Sequence, residues 1–361
     1  MINEYLKLFK KKRVLITGHT GFKGSWLTLC LKKFDANILG LSKDFVTNPS
    51  HYKVCNNFRG IRSKKFNICE LKKLKKIIKD FKPNFIFHLA AQSLVRKSYK
   101  NPVETWMSNV LGTINILDCL KNYKEEICVI IITSDKVYKN VEKKTGYIET
   151  DILGGHDPYS ASKAAAELAI KSYINTYLKN NKKILLAVAR AGNVIGGGDW
   201  SKDRIIPDCI RAWSKNKKVL IRNPESTRPW QHVLESIFGY ITLALKLKLK
   251  KIKNGEVYNF GPNSNKNYKV IDCLNEIKKN WTNVSWKIKK EKKILYEADL
   301  LNLNSTKAFQ DLNWRNILSF SEVIKLTADW YKSYYNKKTK IISNQQIEEY
   351  LKLLNQRKKK K

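Results

Sequence analysis

Residues 14–24 of the chain read VLITGHTGFKG. The apolar run at the start of this stretch is typical of a short buried strand, and the residues after it, 25–33, have a helical pattern. Gly18, Gly21 and Gly24 lie between the two elements, three positions apart. A turn without Cβ atoms allows backbone N–H groups and a helix N-terminus to meet a phosphate. The stretch therefore predicts a nucleotide-binding loop, with a plain turn as the alternative.

The chain continues as an alternation of strand and helix patterns. Further buried strands are predicted at 37–41, 85–89, 129–133, 184–190 and 257–260, with helices around 70–80, 103–120, 161–178 and 233–246. Alternation of this kind specifies an α/β fold with a doubly wound, Rossmann-type parallel sheet.

The regular alternation weakens after residue 190, where a glycine-rich segment and proline-bearing stretches follow. We predict a Rossmann domain over residues 1–191, to which 234–262 returns, and a smaller C-terminal substrate lobe over 192–233 and 263–350. Residues 351–361 form a basic tail, whose charge run 357–361 we expect to be disordered.

Charge is the unusual feature of the composition. The 361 residues carry 70 Lys and Arg against 31 Asp and Glu, a formal net charge of +39. The lysines are spread along the whole chain, and no basic stripe is interleaved with aromatic residues. This distribution favours a solvated surface over a nucleic-acid interface, because charge alone supports only non-specific binding. A non-catalytic polyanion-binding protein on the same scaffold remains the alternative from another class.

Cysteine usage and hydropathy indicate the compartment. The seven cysteines are scattered, without the two-residue spacing of a zinc or redox site, so we expect reduced thiols and no metal. No apolar run approaches the roughly 18 residues of a membrane span. We therefore expect a cytoplasmic protein with no membrane partner.

Two groups of polar residues predict chemistry. Tyr159 and Lys163 are four positions apart, so they share one face of a helix, where a lysine cation can lower the pKa of a tyrosine. Ser134, Asp135 and Lys136 directly follow the predicted strand 129–133. Ligands of open α/β sheets bind at this end of the strands.

Longer motifs carry a resemblance to a known family. The chain contains GHTGFKGSWL (18–27), HLAAQ (88–92), SDK (134–136), GGHDPYS (154–160), RAGNVIGGGDW (190–200) and RPWQHV (228–233). Over about residues 10–350 these runs resemble the extended short-chain dehydrogenases that act on nucleotide sugars and, within them, the branch that dehydrates CDP-glucose.

The resemblance implies NAD as the cofactor and a reaction in three stages. Oxidation at C4 of the sugar, loss of water across C5 and C6, and return of hydride to C6 would give a 4-keto-6-deoxy sugar. It implies Tyr159 as base at the C4 hydroxyl, supported by Lys163 and Ser134, and Asp135 as the acid at C6. Lys136 stands where related dTDP-sugar enzymes have a glutamate, and is either the C5 base or electrostatic support for the enolate.

The resemblance also implies two sets of binding residues. Those for the cofactor are Gly18, Thr20, Gly21, Phe22, Lys23, Gly24, Asn67, Ile68, Ala90, Ala91, Gln92, Tyr159 and Lys163. Those for the nucleotide sugar are Gln92, Arg96, Asn193, Arg204, Arg222 and Arg228, among which the guanidinium groups suit a diphosphate. His232 is expected to be a hydrogen-bonded lobe residue.

Some positions depart from the family pattern or leave alternatives open. Asn67 replaces the usual aspartate beside adenine, and Ser42 and Lys43 replace an acidic ribose ligand, so NADP stays possible beside NAD. A nucleotide-sugar 4-epimerase, or a dehydratase of another nucleotide sugar, is the alternative within the family. The helices at 103–120 and 161–178 are those with which the family pairs subunits, which implies a homodimer.

Overall fold

A seven-stranded parallel sheet forms the centre of the computed structural model, which describes residues 2–55, 58–262, 268–288, 300–336 and 340–359. In chain order, the strands in these ranges are β1 (Arg13–Thr17), β2 (Asn37–Ser42), β3 (Arg62–Lys65), β4 (Phe85–His88), β5 (Ile127–Ile132), β6 (Ile184–Ala191), β7 (Val194–Ile195), β8 (Val219–Ile221), β9 (Thr227–Arg228), β10 (Gln231–His232), β11 (Val257–Phe260), β12 (Tyr268–Lys269) and β13 (Trp286–Ile288).

The helices flank the main sheet and also form much of the smaller part of the fold. They are α1 (Ile2–Phe9), α2 (Phe22–Lys33), α3 (His51–Val54), α4 (Leu71–Phe81), α5 (Val95–Lys100), α6 (Pro102–Trp106), α7 (Gly112–Leu120), α8 (Pro158–Tyr173), α9 (Ile205–Trp213), α10 (Val233–Lys248), α11 (Val270–Lys278), α12 (Thr306–Leu312), α13 (Phe320–Tyr335) and α14 (Ser343–Lys359). π-Helical turns at Met107–Leu111 and Ile174–Leu178 join α6 to α7 and extend α8.

The main sheet has the order β11-β6-β5-β4-β1-β2-β3, and every neighbouring pair is parallel. Successive side chains alternate between two apolar cores: Val129 and Ile131 lie in one, and Cys128 and Ile130 in the other. Burial on both faces explains the continuous apolar runs in the sequence. The predicted Rossmann-type fold is confirmed. The order reverses between β1 and β4, which opens a crevice beyond the ends of these two strands.

The smaller part of the fold contains three two-stranded pairs, β7 with β10, β9 with β12 and β8 with β13. Strand β11 pairs with β6, so residues 257–260 lie in the main sheet. The domain boundaries drawn from the sequence remain a prediction.

The structure corrects the prediction at two places. Strand β3 was not predicted, because all its residues are exposed at the sheet edge and none is apolar. The expectation of a disordered charge run at 357–361 is wrong for the described residues 357–359, because α14 continues to Lys359. Residues 360 and 361 lie outside the described part of the chain. Leu351 and Leu354 are buried in the core, and Arg357 pairs with Glu322 at 2.7 Å. Among the described residues, no helix is long and apolar enough to cross a membrane.

Candidate active site

A cavity of about 1350 Å³ lies at the carboxyl ends of the parallel strands. It collects every residue that the sequence analysis assigned to cofactor, substrate or catalysis: Gly18, Thr20, Gly21, Phe22, Lys23, Gly24, Asn67, Ile68, Ala90, Ala91, Gln92, Arg96, Ser134, Asp135, Lys136, Tyr159, Lys163, Asn193, Arg204, Arg222 and Arg228. Segments far apart in the chain therefore share one cleft, as a two-substrate site requires.

The loop between β1 and α2 has no space for side chains at its glycines. Gly18 has a φ of +77°, and a Cβ there would lie 2.8 Å from the backbone nitrogen of Ala90. A Cβ on Gly24 would lie 2.0 Å from the carbonyl oxygen of Gly18. Gly21 N–H donates to that same oxygen at 3.1 Å and closes the turn. The loop is therefore held tightly against the start of the helix.

The N-terminus of α2 is open toward the cavity. Its N-cap residue is Gly21, so no side chain caps the helix. The Thr20 hydroxyl instead donates to the backbone oxygen of Asp44 at 2.9 Å, and Thr20 N–H donates to the Ser42 hydroxyl at 3.2 Å. An uncapped helix start within a glycine cradle is a site for a pyrophosphate.

The neighbouring part of the cavity includes a residue that the sequence analysis missed. Asp44 lines the cavity two residues beyond β2, although the prediction considered only positions 42 and 43 for a ribose ligand. Its carboxylate lies 3.2 Å from the Lys65 amine. The available signal was an acidic residue shortly after the second strand. The predicted Asn67 accepts a hydrogen bond from Cys69 N–H at 3.1 Å, which shapes its turn.

The catalytic candidates lie where β5 ends and α8 begins. Asp157 caps α8 by accepting hydrogen bonds from the N–H groups of Tyr159 and Ser160 at 2.9 and 3.0 Å. This cap holds the first turn of α8 and hence Tyr159, whose hydroxyl is hydrogen-bonded with Ser134.

Burial dominates the proton affinities of the Tyr159–Lys163 pair. It raises the pKa of Tyr159 to about 12, although the Ser134 hydrogen bond acts in the opposite direction. It lowers the pKa of Lys163 to about 8, against the attraction of the Glu167 carboxylate. The sequence predicts a tyrosine activated by the lysine, whereas here the Lys163 amine donates to the Ile132 carbonyl oxygen at 3.3 Å.

Asp135 presents a carboxylate oxygen with no protein partner. Its side chain is 2% exposed, and Oδ1 accepts a hydrogen bond from the Ser134 hydroxyl at 2.9 Å. Oδ2 has no hydrogen-bond partner among the described residues, and a Cβ on Gly192 would lie 3.1 Å from it. Since a buried carboxylate oxygen is costly to leave unpaired, this atom is suited to meet a substrate hydroxyl. Lys136 follows, half-buried, in the cavity wall.

Two of the predicted substrate arginines are paired with acidic residues of one loop. Arg204 donates to Asp199 at 3.0 Å, and Arg96 lies 3.6 Å from Asp203. The amide of Gln92, predicted as a cofactor and substrate contact, is engaged within the protein: its Nε2 donates to Leu94 O and Thr105 Oγ1, both at 3.0 Å. Its side chain therefore shapes the wall of the cavity.

The structure gives hydrogen-bond partners for two further predicted residues, Lys23 and His232. Burial lowers the pKa of Lys23 to about 7, and its amine donates to the Tyr240 hydroxyl at 3.4 Å. His232 caps α10 by accepting a hydrogen bond from Leu234 N–H at 3.3 Å, in line with its predicted role in the lobe.

The fold, the glycine loop and the Tyr-x-x-x-Lys pair on α8 together define the extended short-chain dehydrogenase class. A family model described as GDP-mannose 4,6 dehydratase matches residues 15–327. The chain belongs to this family.

Individual proteins show the same relation. The chain is 40% identical over 346 residues to the CDP-glucose 4,6-dehydratase of Salmonella typhimurium, covering 94% of this chain and 96% of the relative. Among solved structures, an epimerase of Methanothermobacter thermautotrophicus has a TM-score of 0.80 at 24% identity, with 92% and 95% covered. The dTDP-glucose 4,6-dehydratase of Bacillus anthracis, solved in complex with NAD, has a TM-score of 0.75 at 22% identity, with 91% and 98% covered. These structural likenesses establish the fold.

Proposed function

We propose that this chain is a hydro-lyase that converts CDP-glucose into CDP-4-keto-6-deoxyglucose with tightly held NAD. The observation that carries the reaction type is the Asp135 carboxylate beside Tyr159, one oxygen of which accepts no hydrogen bond from the described part of the chain. An epimerase needs no acid for the C6 hydroxyl. The choice of CDP-glucose rests on the similarity to the Salmonella dehydratase.

The glycine cradle fits NAD. The positions of Gly18 and Gly24 leave no room for Cβ atoms, and the open start of α2 supplies N–H groups for the pyrophosphate. Asp44, Asn67 and Ile68 would receive the adenosine part. When bound there, NAD would supply reversible storage of a hydride.

Three residues carry out the four proton transfers on the protein side of the reaction. Tyr159 removes the proton of the C4 hydroxyl, which requires the Lys163 ammonium nearby because burial alone raises the pKa of the phenol. Asp135 donates a proton to the C6 hydroxyl as water departs. Lys136 removes the C5 proton, made acidic by the C4 ketone, and later returns a proton to C5.

The role of Lys136 can be separated from the first step. In a Lys136→Met variant we expect C4 oxidation to continue while exchange of the C5 hydrogen with solvent is abolished. Nuclear magnetic resonance of the recovered sugar nucleotide in heavy water measures this exchange. Unchanged exchange would remove Lys136 from the role of base.

The decisive experiment offers the purified protein NAD, or NADP, with CDP-, dTDP-, UDP- and GDP-hexoses and follows each by mass spectrometry. Loss of one water from CDP-glucose alone supports the full proposal. Loss of water from a different nucleotide sugar changes the substrate but not the reaction. An isomer of equal mass indicates an epimerase. No change with any hexose, combined with salt-sensitive retention on a polyanion, would indicate a binding protein.

A second copy of the chain is the partner we propose. Exposed apolar side chains lie on α6, on α8 and on the π-helical turns beside them: Val103, Trp106, Met107, Leu168 and Tyr177. Such a surface supports burial against another subunit. Light scattering of the native protein and of Leu168→Glu tests it, since a charge there should yield monomers. A cytoplasmic location is supported by the seven unpaired thiols.

A further inference from the structure

A buried ion pair lies behind the catalytic residues and outside the cavity lining. Glu167 is on α8, one turn beyond Lys163 and two turns beyond Tyr159, so the three share one face of the helix. Arg190 is near the end of β6. Their side chains are only 4% and 3% exposed, and neither lines the cavity.

Every polar atom of the Glu167 carboxylate is engaged. Oε1 accepts from the Thr133 hydroxyl at 2.6 Å and from Arg190 Nε at 2.9 Å. Oε2 accepts from Nε at 3.0 Å and from Nη2 of the same guanidinium. The third nitrogen, Nη1, donates to the Tyr138 hydroxyl at 2.6 Å. This is bidentate, charge-assisted pairing, the most directional kind available to a protein.

These hydrogen bonds hold both ends of the segment 133–138, which contains the proposed catalytic residues 134–136. Thr133 immediately precedes Ser134 and Asp135, and Tyr138 follows Lys136 by two residues. Both are therefore tied to one carboxylate–guanidinium unit. Because hydrogen-bond angles on a fork-shaped guanidinium are restrictive, the turn between them has little freedom to move.

The charge of Glu167 also acts on Lys163. The ionisable groups around Lys163 include Tyr159 and Glu167 on its own helix, Lys23 on α2 and His88 on β4. Burial lowers the pKa of His88 to about 3, so this imidazole is neutral. A positive charge on Lys23 disfavours a positive charge on Lys163, whereas the Glu167 carboxylate favours it. The Glu167 carboxylate therefore supports the charged form of Lys163.

We infer that Glu167 and Arg190 form a positioning unit, which holds the 134–136 turn in register with Tyr159 and keeps Lys163 as an ammonium. The inference rests on the proposed function, because the groups it positions are the proposed catalytic ones. Neither residue is a catalytic residue, since neither reaches the cavity.

The test replaces the pair by apolar side chains of similar size. Glu167→Leu combined with Arg190→Met removes both charges together, and such replacements of buried pairs often fold well. Glu256→Leu with Lys307→Met, at an ion pair beside β11, is the matched control. If the first double variant lacks a native melting transition, Glu167→Gln combined with Arg190→Met carries the same test, because the amide keeps an acceptor for Thr133 and no buried charge is left unpaired.

The first readout is the pH profile of the initial hydride transfer, followed by the absorbance of reduced nicotinamide in single turnovers. We expect the double variant to lose rate about tenfold or more, and its alkaline limb to move to lower pH by about one pH unit. Glu167→Asp should lose rate, but the alkaline limb of its pH profile should stay at the native pH, since the variant keeps the negative charge. The control pair should change neither. An alkaline limb at the native pH in the charge-free double variant would overturn the inference.

The second readout needs no substrate. Nitrogen NMR of labelled lysine follows the titration of Lys163, identified by the signal that Lys163→Met removes. The midpoint should fall in the charge-free variant, and an unchanged midpoint contradicts the inference. If the native protein transforms no nucleotide sugar, the proposed function fails, while this titration still decides the effect of Glu167 on Lys163.

Discussion

Two glycine-rich loops contribute to the cavity, and their glycines are required by different neighbours. In residues 18–24 the missing Cβ atoms would meet backbone: Gly24 faces the carbonyl of Gly18, and Gly18 faces Ala90. In residues 192–198 they would meet side chains: a Cβ on Gly197 would lie 1.9 Å from Cγ of Trp330. The first loop is thus dictated by backbone, its own and that following β4, and the second by side chains from distant parts of the chain.

The partners of the second loop come from several parts of the chain, including α2, α3 and α13. Trp330 on α13 donates to the Ser343 hydroxyl at 2.7 Å, and His51 Nε2 is 3.0 Å from that same oxygen. Trp26 on α2 stacks on His51 at 4.6 Å and donates to the Gly197 carbonyl at 3.0 Å. The helix that starts at the first loop therefore also supports the second.

The largest effect is expected from Gly24→Ala. The new Cβ would lie 2.0 Å from a backbone oxygen, which cannot turn away as a side chain could. We expect cofactor affinity to fall more than tenfold and stability to fall by about 3 kcal/mol. Calorimetric titration with NAD and thermal unfolding measure the two. Gly21→Ala, with 3.2 Å to the same oxygen, is the control and should bind far better.

Gly197→Ala should cost somewhat less, about 2–3 kcal/mol of unfolding free energy, since a packed tryptophan must shift. Unlike the clash in the first loop, this clash is with a side chain, so a second substitution can relieve it. Trp330→Leu should relieve the clash, so the double variant should be more stable than the sum of the two single effects predicts. Denaturant unfolding of the four proteins gives the coupling. Simple additivity would show that Trp330 is not what excludes the methyl group.

The stability of the protein should depend on pH through Glu235. This carboxylate on α10 accepts from the N–H groups of Ile317 and Leu318 at 2.9 and 2.8 Å and from the Tyr350 hydroxyl at 2.7 Å. Burial raises its pKa from 4.5 to about 7. The folded state therefore binds the proton more tightly than the unfolded state.

The sign of the effect follows from that difference. The contribution of Glu235 to stability is complete below pH 4.5 and is lost as pH rises to about 7. Relative to Glu235→Gln, the native protein should lose of the order of 2 kcal/mol over this interval. Urea unfolding at a series of pH values measures it. A constant difference between the two proteins would contradict the assignment.

The smallest expected effect is that of Thr20→Val in the first loop. The change removes the hydroxyl donated to the Asp44 carbonyl, at a cost of about 1 kcal/mol. NAD affinity should fall two- to fivefold at most, since the backbone cradle persists. Binding titrations check this, and a loss as large as that of Gly24→Ala would mean that side chains shape this loop after all.

The same contrast explains what could be predicted from sequence. The strands of the main sheet other than β3, and the loop at 18–24, are local patterns of apolar runs and glycines, so they were predicted nearly to the residue. All the assigned site residues lie in one cavity because strand ends in a parallel sheet meet at one edge. Their individual roles stay predictions.

What the sequence could not provide is set by distant contacts. The helical course of residues 351–359 is accompanied by burial of Leu351 and Leu354 in the core, whereas the charge run 357–361 carries no apolar residue from which a packed helix could be predicted. The engagement of Gln92 with Thr105 and the clamp of Glu167 on Arg190 are likewise tertiary. A pattern read along the chain contains none of these neighbours.

Strand β3 ends the main sheet with an open edge, and its residues are all exposed, with Arg62, Lys64 and Lys65 among them. An unpaired edge is a template on which another copy could add its own strand. Here two such edges would bring like charges together, in a chain that already carries +39. The basic surface thus acts as protection against fibrillar growth, a colloidal property that concentrated salt would weaken by screening.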